Sequence, residues 1–197
     1  MPSPSNIKSA LVCLVLFGAS PCFAQAANGL GPGDPGRPNG GLPFDPSRPL
    51  PPPPLRPNEA RAASLPLGLA IKLAEAASSA CAGFHVSVSV LDASGAPKLT
   101  YVTDGAVGPL AYFGFRKAYT ALTFGSVTSS VGERALTDPK VAERIRNDPW
   151  TIAWAGGAPI RAKGVLVGAL GVSGAEPSAK DEACAMAALA ALGFDAP

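Results

Sequence analysis

Trp154-Ala-Gly-Gly-Ala-Pro-Ile-Arg-Ala-Lys-Gly-Val-Leu-Val-Gly-Ala-Leu-Gly-Val-Ser-Gly174 is the stretch that decides the fold, because apolar residues and glycines are interleaved there more regularly than elsewhere in the chain. It predicts a strand, a tight turn at Gly164 and a second, buried strand. Gly168 and Gly171 interrupt that second strand, which indicates that a helix, another backbone or a ligand comes close. The rest of the chain is therefore expected to cover this hairpin.

Five helices and a second hairpin are predicted around this stretch. Apolar spacing and the positions of proline and glycine place the helices at 66–82, 109–124, 129–136, 138–146 and 182–192. Alternating residues predict strands at 84–91 and 97–102, joined by a turn at 92–95. Helices at both ends of the chain can cover both faces of one antiparallel sheet.

Two helix starts carry capping signals. Asp138 is the predicted N-cap of the fourth helix, with Pro139 at its first position. Ser178-Ala-Lys-Asp181 has the spacing of a capping box before the last helix, although Asp stands where Glu is usual.

The first 63 residues are predicted to lie outside the folded domain. Residues 1–24 combine Lys8, an apolar run and Cys22-Phe-Ala24, a pattern typical of a cleaved secretory signal. Residues 25–63 form a Pro/Gly-rich linker, with 11 prolines and six glycines between 26 and 57. A PxxP ligand is a second interpretation of Pro49–Pro57, but a plain spacer is favoured. The domain spans 64–197, and the expected location is periplasmic or secreted.

Charge excludes one class of partner. Removal of the signal takes Lys8 and no acidic residue, so the formal net charge falls from +2 to +1. Such a balance gives no basis for binding nucleic acid.

Two cysteines, Cys81 and Cys184, remain in the exported protein. They can pair in an oxidising compartment, and two buried free thiols are the alternative. If the terminal helices lie side by side and antiparallel, the last turn of one meets the first turn of the other. That is where the two cysteines fall, so a disulfide is the favoured interpretation.

Familiar catalytic motifs are incomplete. Gly171-Val-Ser-Gly174 begins a nucleophile elbow but lacks the final glycine, and the spacing of the glycines does not match a nucleotide-binding loop.

His85 is the only histidine, so a structural zinc site is excluded in practice. His85 can act as an axial metal ligand or a general base, while a partly buried polar residue is the plainer interpretation. Haem iron also accepts tyrosine phenolates, and Tyr101, Tyr112 and Tyr119 are candidates.

The second helix is unusually aromatic. Tyr112, Phe115, Tyr119 and Leu122 share one face at helical spacing. Packing on the sheet explains most of this face, and lining a ligand pocket is the alternative.

Several blocks of sequence together resemble the GlcG/HbpS-like haem-binding proteins. The resemblance covers residues 64–193 and rests on five blocks in the right order, followed by Asp181-Glu182: 90–95, 103–106, 116–121, 156–160 and 164–175. It implies a profilin-like three-layer α/β/α sandwich of the α+β class, with a five-stranded antiparallel sheet. The terminal helices would cover one face and the central helices the other. Assembly into a homo-oligomer is also implied.

The resemblance also implies a ligand site. It places the Lys117-Ala-x-Thr-Ala121 helix opposite the Gly156-Gly157-x-Pro159 loop, across a pocket. Tyr112, Phe115 and Tyr119 would form an aromatic wall for haem or a related tetrapyrrole, with Arg116 or Lys117 pairing with propionates.

Three functions follow as hypotheses. The leading one is an exported haem-binding protein that requires no chemical step and acts as a sensor or accessory component. The others are a haem-degrading or redox enzyme, and a structural or sensory oligomer with a vestigial pocket. A membrane sensor or a redox protein is the expected partner.

Overall fold

A computed structural model describes residues 65–197. The predicted signal at 1–24, the whole predicted linker at 25–63 and residue 64 lie outside the described residues. The described elements are α1 (Leu67–Ala80), β1 (Ser87–Asp92), β2 (Pro97–Val102), α2 (Pro109–Phe124), α3 (Thr128–Thr137), α4 (Pro139–Asn147), β3 (Gly157–Ala162), β4 (Val165–Ser173) and α5 (Ser178–Ala191). Between 65 and 197, none of these helices is long and apolar enough to cross a membrane.

The sheet is antiparallel, with strand order β2-β1-β4-β3. The α+β class is confirmed, but five strands are not: residues 65–197 contribute four. The segment between α4 and β3 does not form a strand. Its backbone forms hydrogen bonds with side chains of α2. Thr120 Oγ1 accepts a hydrogen bond from the Ile152 N–H at 2.8 Å, and Arg116 donates to the Thr151 carbonyl.

Each face of the sheet is covered by a different set of helices. Val86, Val88 and Val90 pack in one core cluster with α1 and α5. Leu91, the next inward residue on the other face, packs with α2 in a second cluster. A third, small cluster joins α3 and α4 to Ala153. The terminal helices therefore share one face and α2 covers the other, as the three-layer sandwich predicts.

The helix α2 is what comes close to the glycines of β4. A Cβ on Gly171 would overlap the Gly114 carbonyl and lie 2.5 Å from the Ala118 nitrogen, both in α2. Gly168 is tight for another reason, because the Leu91 carbonyl of the neighbouring strand lies against it. The expected close approach is confirmed, and at Gly171 its cause is a helix backbone.

One capping prediction is confirmed and the other is wrong. Asp138 accepts a hydrogen bond from the Lys140 N–H at the start of α4. At α5 the residue before the helix is Pro177, and no side chain caps it. Asp181 turns inward instead, since its carboxylate binds a buried lysine.

The terminal helices are joined covalently. Cys81, the residue after α1, forms a disulfide with Cys184 in α5, with a Cα–Cα distance of 5.5 Å. The favoured pairing is confirmed, and it ties residues 103 positions apart.

Candidate functional site

A buried ion pair lies between α2 and α5. Lys117 Nζ is 2.7 Å from Asp181 Oδ2, and the two side chains are 2% and 3% exposed. Asp181 Oδ1 accepts the Ala175 N–H at 2.7 Å, so the carboxylate also fixes the turn between β4 and α5.

Burial has the largest effect on the pKa of both partners. Burial lowers the pKa of Lys117, and the attraction of Asp181 opposes that shift without cancelling it. Burial likewise raises the pKa of Asp181 against the attraction of Lys117. Each charge is therefore costly to bury, and each depends on the other.

Glu182, the next residue, links two other segments, the start of α3 and the loop at Gly156. Its carboxylate accepts hydrogen bonds from the Ser129 N–H at 3.0 Å, from the Ser129 hydroxyl and from the Gly156 N–H at 3.2 Å. Thr128 Oγ1 accepts the Gly157 N–H at 2.8 Å. A negative charge at the start of α3 also suits the helix dipole.

The predicted helix and loop do face each other, but they are in direct contact. A Cβ on Gly156 would lie 2.9 Å from Lys117 Cδ, and one on Gly157 would overlap the Lys117 carbonyl. Pro159 is buried in β3 opposite Ala169. The loop therefore packs directly against α2 at Lys117.

Arg116 and Lys117 are both engaged inside the protein. Arg116 is 2% exposed, donates to the Thr151 carbonyl and lies over the Tyr112 ring. The Lys117 ammonium belongs to Asp181. In this conformation neither cation reaches a propionate, so the geometry does not favour that predicted role.

The aromatic residues of α2 pack on the segment before β3. Tyr112 and Phe115 contact the Trp150 ring, Phe113 contacts Trp154, and Tyr119 stacks beside Phe115. Tyr119 is buried, whereas Tyr112 and Phe115 are half-buried. Packing, the plainer of the two interpretations, accounts for Tyr119. A half-buried aromatic surface remains at Tyr112 and Phe115.

His85 is exposed and oriented by the backbone. Its Nδ1 lies 2.7 Å from the Asp104 carbonyl oxygen, which can only accept, so Nδ1 carries the proton. This leaves the Nε2 lone pair available for a ligand, in the arrangement that metal-binding histidines use. Gly105 packs against the ring, where a Cβ would lie 2.9 Å from Nδ1.

Two apolar residues and one cation lie near the backbone at His85. A Cβ on Gly174 would overlap the His85 carbonyl oxygen and would lie 3.1 Å from Leu110 Cδ1. Phe84, the preceding residue, is exposed and lies under the Lys180 ammonium, 4.9 Å from the ring centroid. Residues 65–197 contain no group of three or more His, Cys, Asp or Glu that could hold a metal ion without further ligands.

The sequence-based interpretation missed the structural roles of Asp181 and Glu182. Asp181 and Glu182 stood in the blocks that carried the resemblance, but the capping-box spacing assigned Asp181 to its own helix. A lysine among the small residues Ala118 and Ala121 was the available signal, because such a helix face is buried and a buried lysine needs a carboxylate.

A family model described as haem degrading protein HbpS-like matches residues 65–190. The chain belongs to this HbpS-like family. A solved structure of a double mutant of HbpS from Streptomyces reticuli is 37% identical, covering 70% of this chain and 94% of that one, with a TM-score of 0.62. No curated protein matches the chain.

Two more distant structures share the fold. A haem complex of PduOC is 24% identical, covering 68% of this chain and 98% of that one, with a TM-score of 0.60. The Klebsiella pneumoniae protein ORFY is 22% identical, covering 71% and 98%, with a TM-score of 0.62.

Proposed function

We propose that the protein is an exported binding protein for haem or a related tetrapyrrole, with His85 Nε2 as the axial ligand. The observation that carries the proposal is the exposed His85 ring, whose Nδ1–H is held by the Asp104 carbonyl. Membership of the HbpS-like family supports haem as the ligand. A sensory or accessory role, in contact with a membrane sensor or redox partner and within a homo-oligomer, is part of the proposal.

The residues around His85 fit the group. Haem offers iron to a neutral imidazole, an apolar macrocycle to Phe84 and Leu110, and carboxylates to a cation. Lys180 is exposed and has no carboxylate partner among the described residues, whereas Arg116 and Lys117 are engaged. Lys180 therefore replaces them as the propionate partner.

Haemin titration tests the axial ligand. We expect a saturable Soret band with the wild-type protein and a loss of at least tenfold in affinity for His85→Ala. Tyr101→Phe is the matched control, because Tyr101 is another exposed candidate ligand and should leave the spectrum unchanged. Equal spectra for His85→Ala and wild type would reject His85. No spectral change at micromolar haemin would reject haem binding itself.

Two further variants test the surroundings. Lys180→Met should weaken haemin binding by no more than about fivefold, as for an exposed ion pair. It should have no effect on binding of the dimethyl ester, which lacks carboxylates. A stronger effect of Tyr112→Ala than of His85→Ala would instead favour the aromatic surface of α2.

Haem degradation is the second candidate, and the description of the family favours it. It predicts that the Soret band of bound haem bleaches on addition of ascorbate, with release of iron. A binding protein would keep the band.

A further inference from the structure

An open groove of about 860 Å³ lies between the start of α5 and α3. Gly132, Glu133 and Leu136 of α3 form one wall, and Trp154, Glu176 and Ser178 line the other. Most of the lining is apolar, and Leu136 at the rim is 78% exposed. None of the residues predicted to bind a ligand lies in this groove.

The groove offers an aromatic residue and unpaired backbone donors. Trp154 lines one wall, but its Nε1–H is buried and is therefore closed to an occupant. At α5, Pro177 precedes the helix and has no side-chain oxygen with which to cap the N–H groups of Ser178 and Ala179. The first N–H groups of a helix have no partner within the helix, so an occupant rich in acceptors would be favoured.

The groove also carries unpaired negative charge. Glu133 and Glu176 are exposed, and neither is in an ion pair with another described residue. An occupant with a positive end would complement them.

The chain contains a segment with this chemistry. Residues 48–57 read Arg-Pro-Leu-Pro-Pro-Pro-Pro-Leu-Arg-Pro. Proline has a carbonyl and no N–H, so this backbone offers mostly acceptors. Its side chains are apolar, and Arg48 and Arg56 place a cation near each end. Proline-rich peptides bind aromatic-lined grooves in the same way, because the polyproline helix is already extended and loses little entropy.

We propose that residues 48–57 bind in this groove of the same chain, with proline rings packing against Trp154 and an arginine meeting Glu133 or Glu176. The spacer is then a ligand of the domain that it precedes.

The length of the chain permits this contact. The disulfide places the end of α1 beside the first turns of α5, so the start of α5 is about one helix length, roughly 21 Å, from the start of α1. Residues 57–65 can span roughly 26 Å when extended. The proline segment can therefore reach the groove without a second copy.

The test uses the full exported chain with Trp150→Phe, which leaves Trp154 as the only tryptophan. Replacing the four prolines at 51–54 by serine should shift the Trp154 emission and speed amide exchange at 132–136 and 176–179. A synthetic peptide of residues 47–58, added to this serine variant, should restore the emission in a saturable manner. A peptide with the prolines replaced by alanine is the matched control.

The charges and the aromatic wall are tested separately. Glu133→Gln with Glu176→Gln should weaken binding of the peptide at least threefold at low salt, whereas Glu143→Gln, exposed on α4, should not. Trp154→Ala removes the aromatic wall, and it should also weaken binding of the peptide, which is then followed by amide exchange. Unchanged emission and exchange in the serine variant, or equal binding of the alanine peptide, would overturn the proposal. A signal that depends on protein concentration would overturn binding within one chain.

Discussion

Replacement of Asp181 by asparagine tests the buried ion pair most directly. Asn has nearly the same shape and can still accept the Ala175 N–H, so the change removes charge with little loss of packing. The Lys117 ammonium, 2% exposed, is left without its counter-charge. Breaking a buried pair in this way costs about 3–5 kcal/mol of the free energy of unfolding.

The dependence on pH identifies the cause of this loss. Burial already lowers the pKa of Lys117, and removal of Asp181 lowers it further. Between that folded-state pKa and the unfolded value of about 10.4, the unfolded chain binds the proton and the folded chain does not. Stability of the variant therefore rises with pH in this window, by up to about 1.4 kcal/mol per pH unit, and its deficit against wild type shrinks.

The assay is urea unfolding of the oxidised protein at pH 6, 7, 8 and 9. Lys117→Met combined with Asp181→Asn is the control, because it removes both charges and keeps their approximate volume. The double variant should recover most of the stability and lose the added pH dependence. A deficit below about 1 kcal/mol at pH 7, or one that is the same at every pH, would refute the role assigned to the pair.

Four other predictions concern the stability of the fold. Gly171→Ala should cost about 1–3 kcal/mol or more in urea unfolding, because the added methyl group meets the backbone of α2. Gly68→Ala, on the open surface of α1, should instead stabilise by about 0.5–1 kcal/mol. Cys81→Ser with Cys184→Ser should cost about 2–5 kcal/mol, since a loop of 103 residues gives about 4.7 kcal/mol in the chain-entropy estimate, and reductant should lower the wild-type Tm equally. Glu182→Gln should cost about 1–3 kcal/mol and speed amide exchange in the first turn of α3, where equal exchange would contradict its capping role.

Local signals predicted most of the elements because they act over a few residues. The strand at Pro97–Val102 and the start of α2 at Pro109 agree with the prediction, since proline and the alternation of apolar residues mark them. The number of strands was wrong because it came from the resemblance. Residues 148–156 use their backbone to bind α2, and nothing in their own sequence indicates this.

Contacts between distant residues were harder to predict. Lys117 and Asp181 are 64 positions apart, and the spacing from Ser178 gave Asp181 a local partner that the structure does not use. A capping box is a pattern of four residues, whereas the need of a buried ammonium for a carboxylate depends on how α2 packs. The second requirement is energetically larger, so it determines where Asp181 points.

The sequence blocks that identify the family have two different structural roles. Lys117, Gly156-Gly157 and Asp181-Glu182 meet at one buried contact, where they lock α2, β3 and α5 together. The block at 103–106 lies elsewhere: Asp104 holds the His85 ring and Gly105 makes room for it. Substitutions in the first group should therefore change stability before ligand binding. Substitutions around His85 should do the reverse, because the exposed ring contributes little to the core.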